Sequence, residues 1–264
     1  MDGRSDLASR SLKDSVRVRY FRATDSDEVR KLYLFAMSDG PDSPRRNVLD
    51  VLLFKPGAHV TYAVILAGVS LAVLSRCPSY RAFGVMVSVF AAASLLGYRY
   101  FLSRSFIDYY DKCLTEDLAD VASYYHMRAA QDGAGNLVPA GPSAFWVVEC
   151  DLPEKRGTEV IGCVALDCQY EGGVLRGELR RMVVSPFYRR RGIAALLIKT
   201  LLAHGSKHGV PAIILTTTHF QEDAINMYEK LGWVETSRNA VYDYRIIKVV
   251  LIHFRLELNC VSTT

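Results

Sequence analysis

Two long uncharged runs constrain this chain more than anything else in it. Between Lys55 and Arg76 lie twenty uncharged residues, Pro56 to Ser75, and between Arg81 and Arg99 lie seventeen more, Ala82 to Tyr98. At about 1.5 Å rise per residue they make roughly 30 and 26 Å of helix, at or just below the hydrocarbon thickness of a bilayer. The linker Arg76-Cys77-Pro78-Ser79-Tyr80-Arg81 is only long enough for a turn. The pair therefore reads as a helical hairpin that either crosses a bilayer twice or dips into one leaflet. A pair of buried core helices is the competing reading, and Gly68, Ala72, Ala91 to Ala93 and Gly97 suit close packing in either setting. Both segments are apolar on all faces, however, and a soluble domain of this size rarely buries two such helices side by side. A lipid bilayer is the expected partner. Six Lys and Arg flank the base of the hairpin (Arg45, Arg46, Lys55, Arg99, Arg104, Lys112) against two in the turn (Arg76, Arg81), which predicts a cytosolic base.

The rest of the composition removes several function classes. The net charge of +4 over 264 residues is mild and scattered, so no nucleic acid is expected as a partner. Six cysteines show no C-x-x-C pair and read as core or free thiols, without a disulfide framework or zinc knuckle. His204 and His208 stand four apart on a predicted helix, but no third ligand sits at a recognisable spacing, so no metal is expected. The N-terminus, with Asp2, Arg4, Asp6 and Arg10, lacks the apolar run of a cleavable signal peptide.

Outside the hairpin the pattern is α/β. Val16, Val18 and Tyr20 alternate with Arg17 and Arg19 as a short strand, and Thr24 to Glu28 supplies caps and first-turn acids for a helix through Met37. Tyr100 to Tyr110 and Leu114 to Tyr125 read as amphipathic helix, and Gln131 to Asn136 with Gly141 to Ser143 as loop. Strands are predicted at Phe145–Cys150, Val160–Leu166, Leu179–Val184, Ala212–Thr217, Ala240–Tyr244 and Val249–Leu258, with helices at Gly192–His208 and Gln221–Leu231. The expected organisation is a flexible start at 1–15, a first strand and helix at 16–47, the hairpin insertion at 48–105, the main domain at 106–258 and a tail at 259–264.

The strand Leu179 to Val184 runs through Pro186 into Arg189-x-x-Gly192-x-Ala194, where a helix opens. Small residues at a helix start let successive backbone N–H groups point at an anion, helped by the helix dipole, and a pyrophosphate is the natural guest. With the later helix ending in Tyr228-Glu-Lys-Leu-Gly232-Trp233, this stretch resembles the GCN5-related N-acetyltransferase superfamily, whose loop has the form V-x-P-x-x-[QR]-x-x-G-x-[GA]. More narrowly, the hairpin, Thr115-Glu-Asp-Leu-Ala-Asp-Val121, Phe145-Trp-Val147 and then the loop look like the camello-like, or N-acetyltransferase 8, family. Tyr98 to Arg104 and Glu178 to Val183 look most like its aspartate N-acetyltransferase branch.

The resemblance implies a mixed sheet flanked by helices with the hairpin inserted, and direct acetyl transfer from acetyl-CoA to a small-molecule amine. The acceptor would be aspartate or a similar amino acid, with cysteine S-conjugates and protein lysines as rivals and a silent acyl-CoA-binding scaffold as the non-enzymatic alternative. The cofactor would lie against Val183, Val184, Arg189, Arg190, Arg191, Gly192, Ile193 and Ala194. Gln221 stands where many relatives carry Asn seven residues before the helix tyrosine, which puts one cofactor hydrogen bond in question. Glu178 matches a common position for the base that neutralises the amine, and a strand-end acid paired with arginine is its plainer role. Tyr228 matches the tyrosine beside the CoA sulfur, where a phenol can protonate the leaving thiolate, and a core tyrosine is the alternative. Arg180 and Arg181 alternate on a strand, so one alone is expected to face the pocket; Arg181 matches the aspartate-branch motif and would clamp a carboxylate. Asp117 and Asp120 would attract the substrate ammonium, or else act as helix caps. The family also suggests the endoplasmic reticulum membrane, and self-association stays open.

Overall fold

The computed structural model describes residues 16–54, 56–131, 136–152, 157–243 and 247–258. The expected flexible start, the tail, Lys55 and Tyr244 lie outside the described residues.

Seven strands form one mixed sheet: β1 (Val16–Tyr20), β4 (Ala144–Leu152), β5 (Gly157–Glu171), β6 (Val174–Val184), β7 (Ala212–Thr218), β9 (Ile247–Glu257) and β8 (Val234–Asp243), in that spatial order. All neighbours are antiparallel except β6 and β7. A parallel neighbour needs a crossover, and α6 (Ile193–Lys207) supplies it. Its Leu197, Ile198 and Leu201 are buried in a core shared with Ile161, Leu166 and Ile213 of the sheet. A small ladder, β2 (Met127–Ala129) with β3 (Leu137–Pro139), lies beside the main sheet.

The first helix, α1 (Ser26–Leu34), continues as a π-turn over Phe35–Asp39 and stops at Gly40. Its entry is organised by Asp25, which accepts two hydrogen bonds from Arg19 (2.6 and 2.9 Å) and one from the Arg22 backbone N–H (2.7 Å). The predicted first-turn acids Asp27 and Glu28 are present, and Asp25, the N-cap residue, turns its carboxylate to Arg19 and the Arg22 N–H and makes no side-chain cap bond to the helix. Next comes α2 (Pro44–Phe54), whose Val48 packs on Leu102.

The two uncharged runs form α3 (Pro56–Leu74) and the long α4 (Pro78–Thr115), which runs unbroken through position 105 and into the domain. Only 11% of the most apolar stretch of each is buried, so neither lies in the core of this chain. Where the helices touch, the contact is made by small residues. A Cβ at Gly84 would lie 2.8 Å from the Ala72 backbone nitrogen, and Ser88 Oγ donates to the Ile65 carbonyl at 3.0 Å. At the base, Arg45 bonds Ser103 and Ser38, and Arg99 bonds the Leu49 carbonyl, so α2 is tied to α4.

One predicted helix divides. Leu114–Tyr125 was expected to be continuous, but α4 ends at Thr115 and the chain resumes helix only at α5 (Val121–Tyr124). The break turns Asp117 and Leu118 inward, both buried, and Asp120 caps α5 by accepting from the Ser123 N–H at 2.9 Å. Strand β8 also starts six residues before the predicted Ala240. Its first half, Val234-Glu-Thr-Ser-Arg-Asn239, is largely polar and exposed at the sheet edge, so it lacks the alternation that marks a half-buried strand.

Candidate active site

The parallel strands β6 and β7 pair only at Gly177–Ile213 and Glu178–Ile214, after which β6 runs on to Val184 and β7 to Thr218. The strands therefore part above Glu178 and leave one edge of β6, including Val183 and Val184, facing a wedge rather than a partner. A bulge marks the same stretch. Cys163 faces Val183 and Ala165 faces Arg180, so Arg181 and Met182 together oppose Val164, and Arg181 takes φ +53°.

The bulge corrects the expectation that Arg180 and Arg181 point to opposite faces. Both guanidiniums meet the Asp117–Tyr125 segment. Arg181 Nε and Nη2 donate to Asp117 Oδ2 and Oδ1 at 2.7 and 2.5 Å, and Nη1 approaches Cys113 Sγ at 2.7 Å beneath the Tyr33 ring. Arg180 Nη1 donates to the Tyr124 hydroxyl at 2.6 Å and to Asp167 Oδ2 at 3.2 Å. The two differ in access: the Arg181 side chain is 6% exposed, that of Arg180 21%. Arg181 and Asp117 occupy each other, and Tyr125 completes the group by donating to Asp117 Oδ2 at 2.6 Å. Burial alone would raise the Asp117 carboxyl, but the Arg181 hydrogen bonds and charge, with the Tyr125 hydroxyl, hold it below the usual carboxylate range. Asp120 is spent on its cap, so the two acids matched in sequence do not converge.

Glu178 lies half-buried on β6 opposite Asp167. Burial pushes its carboxyl up, opposed by Arg180 and reinforced by Asp167. Asp167 and Tyr124 belong to this polar group and were missed from the sequence. Neither sits at a telling spacing, and only the β5–β6 register brings Asp167 to Glu178.

At the top of β6 the chain turns through Pro186–Tyr188 into α6. The three consecutive arginines separate here. Arg189 points back into the protein, donating to the carbonyls of Val184 (3.3 Å), Asp42 (3.2 Å) and Ala36 (3.4 Å), so it braces the loop. Arg190 reaches across to Asp223 in the first turn of α7 (Glu222–Lys230) at 2.7 Å, and Arg191 lies over the Tyr188 ring. Arg190 and Gly192 are both left-handed, with φ +61° and +81°, a curl that turns successive N–H groups toward one point. Gly192 is the N-cap of α6 and makes no side-chain cap bond, leaving the N–H groups of Ile193 and Ala194 available to an anion.

Gln221, the N-cap of α7, is engaged: its amide oxygen accepts from Thr217 Oγ1 at 2.7 Å. Tyr228 is buried on α7 against Trp233 and Phe254, and burial raises its phenol above the ordinary value. His204 is buried against Trp146 and Tyr20, and burial with the neighbouring His208 pushes it down to about 4. No metal-ligating group of three or more is found among the described residues.

The model of the acetyltransferase (GNAT) family matches residues 103–233. Human N-acetylaspartate synthetase is 31% identical over 83% of this chain and 62% of its own length, so the chain spans about three fifths of that relative. Mouse N-acetyltransferase 8 is 28% identical over 91% of this chain and 94% of its own. A Staphylococcus aureus acetyltransferase structure of the GNAT family shares the fold, with a TM-score of 0.50 at 12% identity over 92% of this chain and 99% of that one. The chain carries a GNAT acetyltransferase domain, with N-acetylaspartate synthetase and N-acetyltransferase 8 proteins as homologues along most of its length.

Proposed function

We propose that this chain is a membrane-anchored N-acetyltransferase that moves the acetyl group of acetyl-CoA to the amine of a small amino acid carrying a carboxylate, aspartate-like. The observation that carries the reading is the wedge between β6 and β7, which opens beside a left-handed, uncapped helix start. Acetyl-CoA supplies the acetyl group as a thioester. The N–H groups of Gly192, Ile193 and Ala194 hold its pyrophosphate, and the free edge of β6 at Val183 and Val184 holds the arm that leads to the sulfur.

Glu178 takes the proton of the acceptor ammonium, directly or through a water, because only a neutral amine attacks the carbonyl. Burial raises its carboxyl, which strengthens it as a base. Backbone N–H groups near Val183 stabilise the oxygen that gains charge during attack. Tyr228 protonates the leaving thiolate, its proton retained until then because burial disfavours the phenolate. Arg180, the more accessible arginine on the face that carries Glu178, receives the acceptor carboxylate. Arg181 and Asp117 hold the bulge behind it.

Anchoring rests on the uncovered apolar helices α3 and α4. The cationic base favours a cytosolic domain, and the endoplasmic reticulum is the first compartment to test. The deciding assay follows thiol release from acetyl-CoA by the full chain in detergent. L-Aspartate should support turnover, and S-benzylcysteine and a lysine peptide should not. Turnover with either rival reassigns the acceptor, and stabilisation by CoA without turnover of any amine makes the chain a binding scaffold. Arg180→Leu should raise KM for the acceptor at least tenfold and leave that for acetyl-CoA unchanged.

A further inference from the structure

We infer that the hairpin crosses the bilayer completely, twice, and that its turn at Cys77 emerges on the face opposite the acetyltransferase domain. The inference rests on the membrane anchoring proposed above and decides between a full crossing and a loop that dips into one leaflet.

Three observations carry it. The first is length. Helix α3 has 19 residues, about 28 Å at 1.5 Å per residue, whereas a turn resting at the bilayer midplane would need only about 15 Å. Helix α4 repeats the measure: exposed Tyr80 at the turn and exposed Tyr100 at the base are twenty residues apart, about 30 Å, the separation of the two interfaces where tyrosines settle.

The second is where charge falls. Between these ends the outward side chains are uncharged and mostly apolar, Val60, Leu66, Val73, Phe83, Val89 and Phe90 among them; the small polar Ser70 and Ser94 are also exposed, and Ser94 Oγ donates to the Phe90 carbonyl of its own helix. The turn itself carries exposed Arg76 and Arg81, Arg81 donating to the Ala72 carbonyl at the end of α3. Two guanidiniums parked inside hydrocarbon are costly, and a turn that reaches the far headgroups keeps them wet.

The third is the interior of the hairpin. Its polar contact, Ser88 Oγ to the Ile65 carbonyl, and its closest approach, Gly68 to Gly84, lie between the helices near mid-length and face away from lipid. The base cannot sink to shorten the span, because α4 continues into the core at Leu102, Tyr110 and Cys113 and fixes the hairpin to the domain.

Cys77 provides the probe. It is exposed at the N-cap of α4, where the Ser79 and Tyr80 N–H groups hold its thiol below the ordinary value, which favours reaction with a maleimide. Sealed microsomes bearing the full chain are treated with protease or with a membrane-impermeant maleimide, before and after the membrane is opened, with Cys77→Ser as the blank for other thiols. Protease and maleimide are expected to report opposite faces: if the domain is cut in sealed vesicles, Cys77 is labelled only after opening, and the reverse. Access to both from one face, or no label at Cys77 after opening, overturns the double crossing. Carbonate extraction separates the two levels. Protein that resists it but fails the labelling test is anchored by a re-entrant hairpin, and protein that is released refutes the anchoring as well.

Discussion

Asp117→Ala would strip the carboxylate from a guanidinium that cannot reach water. The Asp117 side chain is 0% exposed and that of Arg181 6%, and two hydrogen bonds of 2.7 and 2.5 Å join them. Leaving one partner of such a pair alone in the interior costs about 3–5 kcal/mol. The Tyr125 hydroxyl loses its acceptor in the same step, a penalty of about 1–3 kcal/mol on its own and not additive with the first. We therefore expect the domain to lose at least about 3 kcal/mol. Replacing both partners, Asp117→Leu with Arg181→Met, removes the stranded charge and should recover most of that loss. Urea unfolding in detergent micelles can be followed by tryptophan fluorescence, since the chain's two tryptophans, Trp146 and Trp233, are both buried in the domain core and report on it alone. The pH dependence has a definite sign. Because the folded carboxyl sits below its unfolded value of about 3.9, the contribution is complete above that pH and drains away as pH falls through the folded value. A loss below about 1 kcal/mol, within the range of an exposed ion pair, would refute the buried-pair account, as would a double variant no more stable than the single one.

Glu178→Gln should remove the acid limb of kcat/KM, which in the parent falls off at a pH above the ordinary glutamate value of about 4.3; an unchanged limb transfers the base role to another group. Tyr228→Phe should lower kcat while leaving acetyl-CoA affinity nearly intact, and equal losses in both would mean that the ring only packs. At Gly192 a Cβ meets nothing within 4 Å, so bulk is not the obstacle. Gly192→Ala should cost about 1–2 kcal/mol through its left-handed φ, while Gly192→Asp should in addition repel the pyrophosphate and abolish acetyl-CoA binding by calorimetry; retained affinity in the Asp variant would remove the loop from the site.

Much of this protein is written locally. The uncharged runs, the strand-to-helix turn ending in Gly192 and the tyrosine five positions before Trp233 are patterns of short range, set by hydropathy, backbone freedom and helix periodicity. They yielded the pair of apolar helices, most strands and helices of the domain and the strand-to-helix turn at Gly192, which the family resemblance reads as a cofactor loop, without any contact being known. The resemblance sets three consecutive arginines against the cofactor alike, yet they part into a brace, a bridge to Asp223 and a cover over Tyr188, because a left-handed residue between extended and helical backbone turns each side chain a different way. The acceptor side is written even less locally. That Arg180 and Arg181 share a face follows from one extra residue in β6, and Asp167 and Tyr124 join Glu178 and Arg180 only through strand register and the break after α4. Register and bulges are decided by how a whole sheet packs against its helices, an energy summed over residues far apart in the chain, and so only the tertiary structure could reveal which charges are free to meet a substrate and which are already spent on each other.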